Sequence, residues 1–469
     1  AATLRALEKT TVLRLAALQP EETLHLLTAR LNLDAAGIPP ELADLVHQHA
    51  GGNPFFAEEL IAALREQGSI DVVPDPTAPY GLRCIFHGDP GQALQELPTS
   101  VQQLVLARLD RLPADQQITL KVAAVIGRIF GYLLLRDLLQ EHRPLGDERL
   151  QRYLEDLVSR EITLLHHPVP DLAHMFKHVI TQEATYQALL FAQRRTLHRA
   201  VAEWYETRFA AARAYGAEEP QSSALSPYYE LLAYHYRHAE DDAKERQYDW
   251  LAGEQAAARY ANAEAIQYLT RALELTPPDD TAGHYALRLA REQVYDRIGE
   301  REPQARDLHV LGTLATYLDN RAWQTEVALR WANYYIVTSD YPAAIEAAQR
   351  AVARQQAAPE PRLVATAYLR WGMALRYMAD YPAARQQLEQ VVHIARIHVL
   401  ADLEAESLLQ LGAVAFFQGA YPSAQAYDEQ ALQIFHASND LPGEARTLDS
   451  LGNDVCEQGD HKRAIEYYQ

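Results

Sequence analysis

Few residues in this 469-residue chain have the types and spacing to do chemistry. His166, His167 and His174, in HHPVPDLAH, offer imidazoles that could ligate a metal. They fall on an expected hairpin with no cysteine nearby, so we expect no metal in this chain. Gly52, Asn53 and Pro54 open the amphipathic run PFFAEELIAALREQ. Glycine there permits close backbone approach, proline stiffens the turn, and the following helix presents free N–H groups to a polar ligand. Read from the residues alone, the triplet is equally a plain helix-opening turn. Acids such as Glu58 and Glu59 point to different faces of that helix and ask for no catalytic role.

The other reactive patterns are missing. No G-x-x-x-x-G-K-[ST] occurs, and the lysines Lys9, Lys121, Lys177, Lys244 and Lys462 all lack the context of a phosphate loop. There is no G-x-S-x-G, no H-E-x-x-H and no cysteine-rich spacing. Cys84 and Cys456 read as isolated thiols in a reducing cytosol. No apolar run of about 18 residues and no signal segment is present, so a cytoplasmic protein is expected. The chain itself is not expected to be an enzyme.

Forty-three basic against 63 acidic residues leave a net charge of −20, which disfavours phosphate backbones and anionic membranes as partners. The start AATLRALEKT and the stop at AIEYYQ suggest a piece of a longer protein.

The positioning elements are helical. SDYPAA at Ser339–Ala344 returns as ADYPAA at Ala379, GAYPSA at Gly419 and GDHKRA at Gly459. Small residues recur with it at Ala332, Gly372, Gly412 and Gly452, and again at Ala344, Ala384, Ala424 and Ala464. Each unit carries two helices by its three- and four-residue apolar spacing, with the proline of DYPAA in the first turn of the second. The tyrosine before that proline is expected to pack back across the turn. Ala351, Val391 and Ala431 are expected to fill the seams between units. Fixed small positions on a fixed beat are the grammar of an α-solenoid.

These units resemble the tetratricopeptide repeat, best in YDWLAGEQAAARYANAEAIQYLTRALELTPPDD, where Gly253, Ala265, Ala272 and Pro277 match its pattern. A period of forty exceeds the usual ~34, so longer helices or connections are expected. The resemblance implies a concave face that captures a protein, a peptide or a small effector. Tyr334, Tyr335, Tyr368 and Tyr377 are candidates to line it.

Upstream, TTVLRLAAL reads as a strand and PEETLHLLTARLNL as a helix. With LAALQPEET before it, GGNPFFAEELIAALREQGSI resembles the end of the nucleotide-binding module and the helical lid of STAND-class, AAA-related signalling NTPases. That resemblance implies that Gly52, Asn53 and Pro54 contact a bound adenine nucleotide. Two helices split by LPADQQ, then DERLQRYLEDLVSR and the hairpin EITLLHHPVPDLAHMFKH, suggest a winged helix, which the family also carries here.

Residues 96–208 hold 14 basic and 14 acidic side chains, so no nucleic acid is expected to bind this segment. The Arg194, Arg195 and Arg199 cluster reads as a solvated face or a domain contact. FKHVITQEATYQALLFAQRRTLHRAVAEWYE is similar to STAND proteins fused to nucleotide cyclases. It also resembles the Met-His-Asp motif, which would give His178 a role at the β-phosphate of ADP. Lys177 and Val179 stand where that motif has methionine and aspartate. A hydrogen-bonded histidine at a domain interface is the other reading of His178.

The expected fold is therefore mainly α: the end of a nucleotide module with its lid (1–72), a linker (73–95), a winged-helix domain (96–208), connecting helices (209–245) and a superhelix of tetratricopeptide-like repeats (246–469). The expected function is the regulatory part of a bacterial nucleotide-dependent switch. ATP or ADP would bind the full-length protein, and oligomers could form on activation. A plain interaction scaffold, or the regulatory region of a nucleotide cyclase, are the alternatives.

Overall fold

A computed structural model describes residues 16–78, 81–87, 100–142, 145–168, 172–210, 224–356 and 359–469. They fall into two compact units, Ala1–Asp241 and Asp242–Gln469. The chain is mainly helical, and its second unit is the expected superhelix of tetratricopeptide-like repeats. Among the described residues, no helix is long and apolar enough to cross a membrane.

In the first unit, α1 (Pro20–Leu31), α2 (Pro40–Ala50) and α3 (Pro54–Glu66) each begin on a proline, where a missing N–H is harmless. They enclose a core of Leu27, Leu42, Val46, Leu60 and Leu64. An antiparallel hairpin, β1 (Ile70–Pro74) with β2 (Leu82–Phe86), closes it through Ile70 and Cys84. Residues 73–95 were expected to be a linker, but this hairpin occupies their first part. The alternation of Ile70, Val72 and Cys84 was the overlooked signal. Most of the expected strand TTVLRLAAL lies outside the described residues. Its end, from Ala16, runs without regular structure, and the Leu18 N–H donates to the Gly52 carbonyl at 2.8 Å.

Next come α4 (Val101–Asp110), α5 (Ala114–Ile126), β3 (Ile129–Gly131), α6 (Tyr132–His142), α7 (Asp147–Ser159), β4 (Thr163–His167) and β5 (Ala173–Phe176). The strands pair in the order β3-β5-β4, all antiparallel. The β4–β5 hairpin stands where the sequence placed it, whereas β3 was not foreseen. Phe130, Leu135, Leu150, Leu157 and Phe176 form a second core. Helix α4 serves both cores, giving Leu104 to the first and Val105 to the second. The unit ends with α8 (Val179–Gln187), α9 (Phe191–Ala210) and α10 (Tyr229–His238).

The second unit starts at Asp242 rather than residue 246. Its long period is explained by longer helices: Arg321–Val337 (α15), Pro361–Tyr377 (α17), Ala401–Phe417 (α19), Tyr421–Ala437 (α20) and Leu441–Glu457 (α21) each have 17 residues. A left-handed residue closes the turns at Gly299, Asp319, Ser339, Ala379, Val399, Gly419, Asn439 and Gly459. At several of these turns the next residue caps the following helix: Asp340, Asp380, Asp440 and Asp460 each accept from the amide three residues on. Turn plus helix make twenty residues, and two make the beat of forty. Ala351, Val391 and Ala431 fill the seams as expected.

The DYP tyrosines behave differently from expectation. Tyr341 stacks forward on Tyr377 (5.3 Å) and Tyr381 on Phe417 (6.2 Å), while Tyr421 packs back on Phe416 (5.5 Å). The last residue of the next first helix decides this: it is Tyr377 and Phe417 in the first two cases, but Glu457 offers Tyr421 no ring.

The conserved small position in each first helix receives a side chain sixteen residues on. A Cβ at Gly253 would meet Leu269, at Gly372 Leu388, at Gly412 Asp428 and at Gly452 Tyr468, all nearer than 3.0 Å. Asp428 therefore occupies a leucine slot. It shares a hydrogen bond with Asp454, which is equally buried. Burial, with Asp454 beside it, pushes the Asp428 carboxyl up to about 8, and burial pushes that of Asp454 up to about 7.

Candidate functional site

Gly52, at φ 71°, is where the chain must be a glycine, since a Cβ would lie 2.6 Å from the Leu18 carbonyl oxygen. Its close approach is thus to its own chain. The Asn53 side chain caps α3 by accepting from the Phe56 N–H at 3.2 Å, a cap worth about 1 kcal/mol. Pro54 has no N–H, and the Ala57 N–H donates to the Asn53 carbonyl. The helix start is largely satisfied internally, so fewer amides face outward than the sequence suggested.

The structure does bring this helix to His178. The Phe55 ring lies 4.2 Å from the imidazole, centroid to centroid. One turn further along α3, the Glu58 carboxylate accepts from Arg30 at 2.5 Å and sits 3.7 Å from His178 Nε2 and 3.9 Å from Lys177 Nζ. Glu161 completes the group, paired with Arg30 at 2.9 Å and with Lys177. The hydrogen bond from Lys177 is the main reason that Glu161 ionises below the usual carboxylate range. Glu161 holds φ 57°, uncommon for a side chain of its size, in the turn before β4.

Behind them the buried Arg108 guanidinium bridges Glu59 (2.5 Å) and Glu66 (2.6 Å) and donates to the Arg160 carbonyl. These side chains line a cleft of about 330 Å³ between α3 and the hairpin side of the second core.

Burial, and then Lys177, lowers the pKa of His178, so its imidazole is neutral at pH 7. Its Nε2 is buried and has no hydrogen-bond partner among the described residues. A neutral imidazole with one idle nitrogen, flanked by Lys177 and Arg30, can bind one further polar group, and the cations favour an anionic one. The site residues read from sequence therefore divide. Asn53 and Pro54 set the start of α3, Phe55 beside them touches His178, and Gly52 turns to Leu18. Sequence reasoning missed Arg30, Glu58, Arg108 and Glu161, which come from four separate elements.

A second polar cluster was also missed. His198 and His235 are fully buried, with their Nδ1 atoms 2.8 Å apart, and the Tyr186 hydroxyl lies 3.0 Å from His198 Nε2. Burial drives both imidazoles down to about 3, so both are neutral. Nearby, Arg195 pairs with Glu240 and Arg199 with Asp241, so the arginine cluster is a contact of α9 with the end of α10. At the hairpin, His174 is buried against Phe130 while the His166 and His167 rings lie side by side. No group of three His, Cys, Asp or Glu among the described residues is placed to hold a metal.

In the second unit, Tyr334 and Tyr335 pack on Trp331, Tyr368 stacks on Trp371, and Tyr377 lies between Tyr341 and Arg376. Of the four tyrosines expected to line a binding face, Tyr334, Tyr335 and Tyr368 thus contact rings on their own helix, while Tyr377 meets a ring on a neighbouring one.

Comparison with known proteins places two segments in families. Residues 403–469 match the tetratricopeptide repeat, and residues 19–76 match a domain of unknown function (DUF8739). No curated protein matches the chain. Among solved structures it is similar to a signal transduction ATPase with numerous domains (STAND) protein with a tetratricopeptide repeat sensor from Pyrococcus horikoshii. The identity is 12%, over 98% of this chain and 67% of that one, with a TM-score of 0.41. It is also similar to the apo form of RapI (16% identity, 48% and 95% coverage, TM-score 0.40). A Rap protein complexed with competence and sporulation factor gives 13% identity, 59% and 90% coverage and a TM-score of 0.39.

Proposed function

We propose that the chain is the regulatory portion of a nucleotide-dependent signalling switch of the STAND type. In this reading α1–α3 form the lid, the segment from α4 to β5 is a winged-helix arm, and the repeats bind a protein or effector. ADP in the full-length protein favours a closed form, and a ligand on the repeats shifts the population toward an open, ATP-bound one. Such a shift needs a difference in affinity between the two states.

One observation carries the reading: the idle, buried Nε2 of His178, next in the chain to Lys177, which with Arg30 and Glu58 lines a cleft beside α3. The winged-helix assignment is supported by the order of two helices, a short strand, two helices and a hairpin. Its balanced charge gives no support to DNA as a ligand. The test is the nucleotide content of purified full-length protein. His178→Ala should lose bound ADP, with the circular dichroism spectrum unchanged; undiminished ADP would overturn the lock.

A second reading is an interaction scaffold without nucleotide switching. The self-satisfied start of α3 and the packing of Gly52 on Leu18 favour it. A full-length protein without a phosphate-loop motif upstream of Ala1 would decide for the scaffold, and a cyclase domain there would make this region its regulator.

A further inference from the structure

In the second unit, second helices begin at Arg301, Tyr341, Tyr381 and Tyr421, and first helices at Arg321, Pro361 and Ala401, so equivalent positions lie forty residues apart. Where α14 (Arg301–Tyr317), α15 and α16 (Tyr341–Gln355) meet, three of these positions are Gly312, Ala328 and Arg354. One repeat on they are Val352, Tyr368 and Ile394, and two repeats on Val392, Leu408 and Ile434. The later residues pack into the cores of their repeats, and Val392, Leu408 and Ile434 share one core with Phe435. In the earlier repeat that bulk is missing, and a cavity of about 280 Å³ opens in its place. Packing does not require Gly312. A Cβ there would meet only Val327 Cγ1, at 3.7 Å, whereas at Gly253, Gly372, Gly412 or Gly452 it would strike a side chain nearer than 3.0 Å.

Rings line one side of the cavity. Trp331 and Tyr335 of α15 stack at 5.2 Å, and His309 of α14 meets the Trp331 ring edge-on at 4.8 Å. Thr316 and Gln324 add neutral polar groups. Arg350 and Arg354 bring positive charge, and no acid lines this cavity or the adjoining one of about 570 Å³, which shares His309, Gly312, Thr316 and Trp331 with it.

Neither arginine has a carboxylate within 4.0 Å among the described residues. Glu346, one turn before Arg350, is exposed and stands outside the lining. Arg354 donates only two long bonds, to Gln324 Oε1 and to the Arg350 carbonyl, each at 3.4 Å. Burial and then the charge of Arg350 weaken its hold on a proton, and no acid offsets them. Elsewhere in the array arginines between repeats do meet acids, as Arg330 meets Glu292 and Arg362 meets Asp402.

We infer that a small molecule joining a flat ring to a carboxylate or phosphate binds this cavity, its ring against Trp331 and Tyr335 and its anion on Arg354 and Arg350. A forked guanidinium meets either oxyanion through two parallel hydrogen bonds, and aromatic walls give a flat ring apolar area and a fixed orientation. The volume is close to the roughly 300 Å³ at which small-molecule sites begin. The inference rests on the reading that the repeats bind an effector, and it gives that effector a chemical class.

The test is equilibrium dialysis of naphthoate, naphthyl phosphate and neutral naphthol against the intact 469-residue chain at low salt. The three share one ring and differ in the anion. Saturable binding of at least one anion is expected, with naphthol weaker by about tenfold or more, and the anion preferred distinguishes an aromatic carboxylate from a phosphate ester. Arg354→Gln should weaken that anion by about tenfold or more. Gly312→Val, which places there the valine found at 352 and 392, should abolish binding with the thermal midpoint unchanged or higher. Arg385→Gln, whose arginine bonds Gln418, should change nothing. No saturable binding of either anion, or equal binding to Arg354→Gln, would overturn the inference. Naphthol bound as tightly as the anions would overturn the anion recognition, and a labelled octaglutamate bound more tightly than either, through Arg354, would replace the small molecule by a polypeptide. The switch stands or falls separately: ADP lost from full-length His178→Ala with no anion bound here would sink this site alone, and the reverse would sink the switch alone.

Discussion

The two units bury titratable pairs of opposite kind. The first hides two bases, His198 and His235, and the second hides two acids, Asp428 and Asp454. In both, burial expels charge, so the imidazoles stay deprotonated and the carboxyls hold protons. The same physics gives the two halves of one chain opposite responses to pH.

The histidines should give the largest effect. Their folded values of about 3 lie below the ordinary 6.5, so below pH 6.5 the unfolded chain binds more protons and the first unit loses stability as pH falls. At about 1.4 kcal/mol per pH unit for each histidine, the pair costs about 4 kcal/mol at pH 5. Hydrogen exchange of the α9 and α10 amides in the intact chain, corrected for intrinsic rates, reads this directly, and His235→Leu should flatten the slope.

For the aspartates the sign is reversed. Their folded values lie above the ordinary 3.8, so the second unit is least burdened below pH 3.8 and loses stability as pH rises toward 8. Asp428→Leu restores the residue found at Leu269 and Leu388 and should stabilise the second unit at pH 8 by about 3 kcal/mol in urea unfolding. Slopes of the same sign in both units would break the comparison.

Two smaller substitutions sharpen it by probing packing without charge. Gly372→Ala puts a methyl 2.7 Å from Leu388 Cγ and should cost about 2 kcal/mol at every pH. Val399, at φ 55°, holds a β-branched residue in a left-handed turn, so Val399→Gly should raise stability by about 1 kcal/mol, read as a higher thermal midpoint.

The repeat architecture was legible because its period is written locally, in the DYP turns and in the small residues that accept a neighbour. Lining up the units also shows aspartate at position 428 where leucine stands at 269 and 388, so the acid slot could have been found by the same register. The candidate cleft was legible only in part. The start of α3 and the hairpin carry local signals, and a resemblance pointed to His178. The partners of Glu58 could not be read, because Arg30 and Lys177 arrive from distant elements and pairing across such gaps depends on packing rather than spacing. The close approach of Leu18 that explains Gly52 was hidden for the same reason.

Left-handed residues on a twenty-residue beat, with aspartate caps after several of them, quantise the length of the array. A change of a few residues throws each downstream turn out of step, whereas gain or loss of a whole helical hairpin keeps every cap and every small-to-large fit in register. Such an array can gain or lose blocks of forty and so change its reach while the joints stay the same.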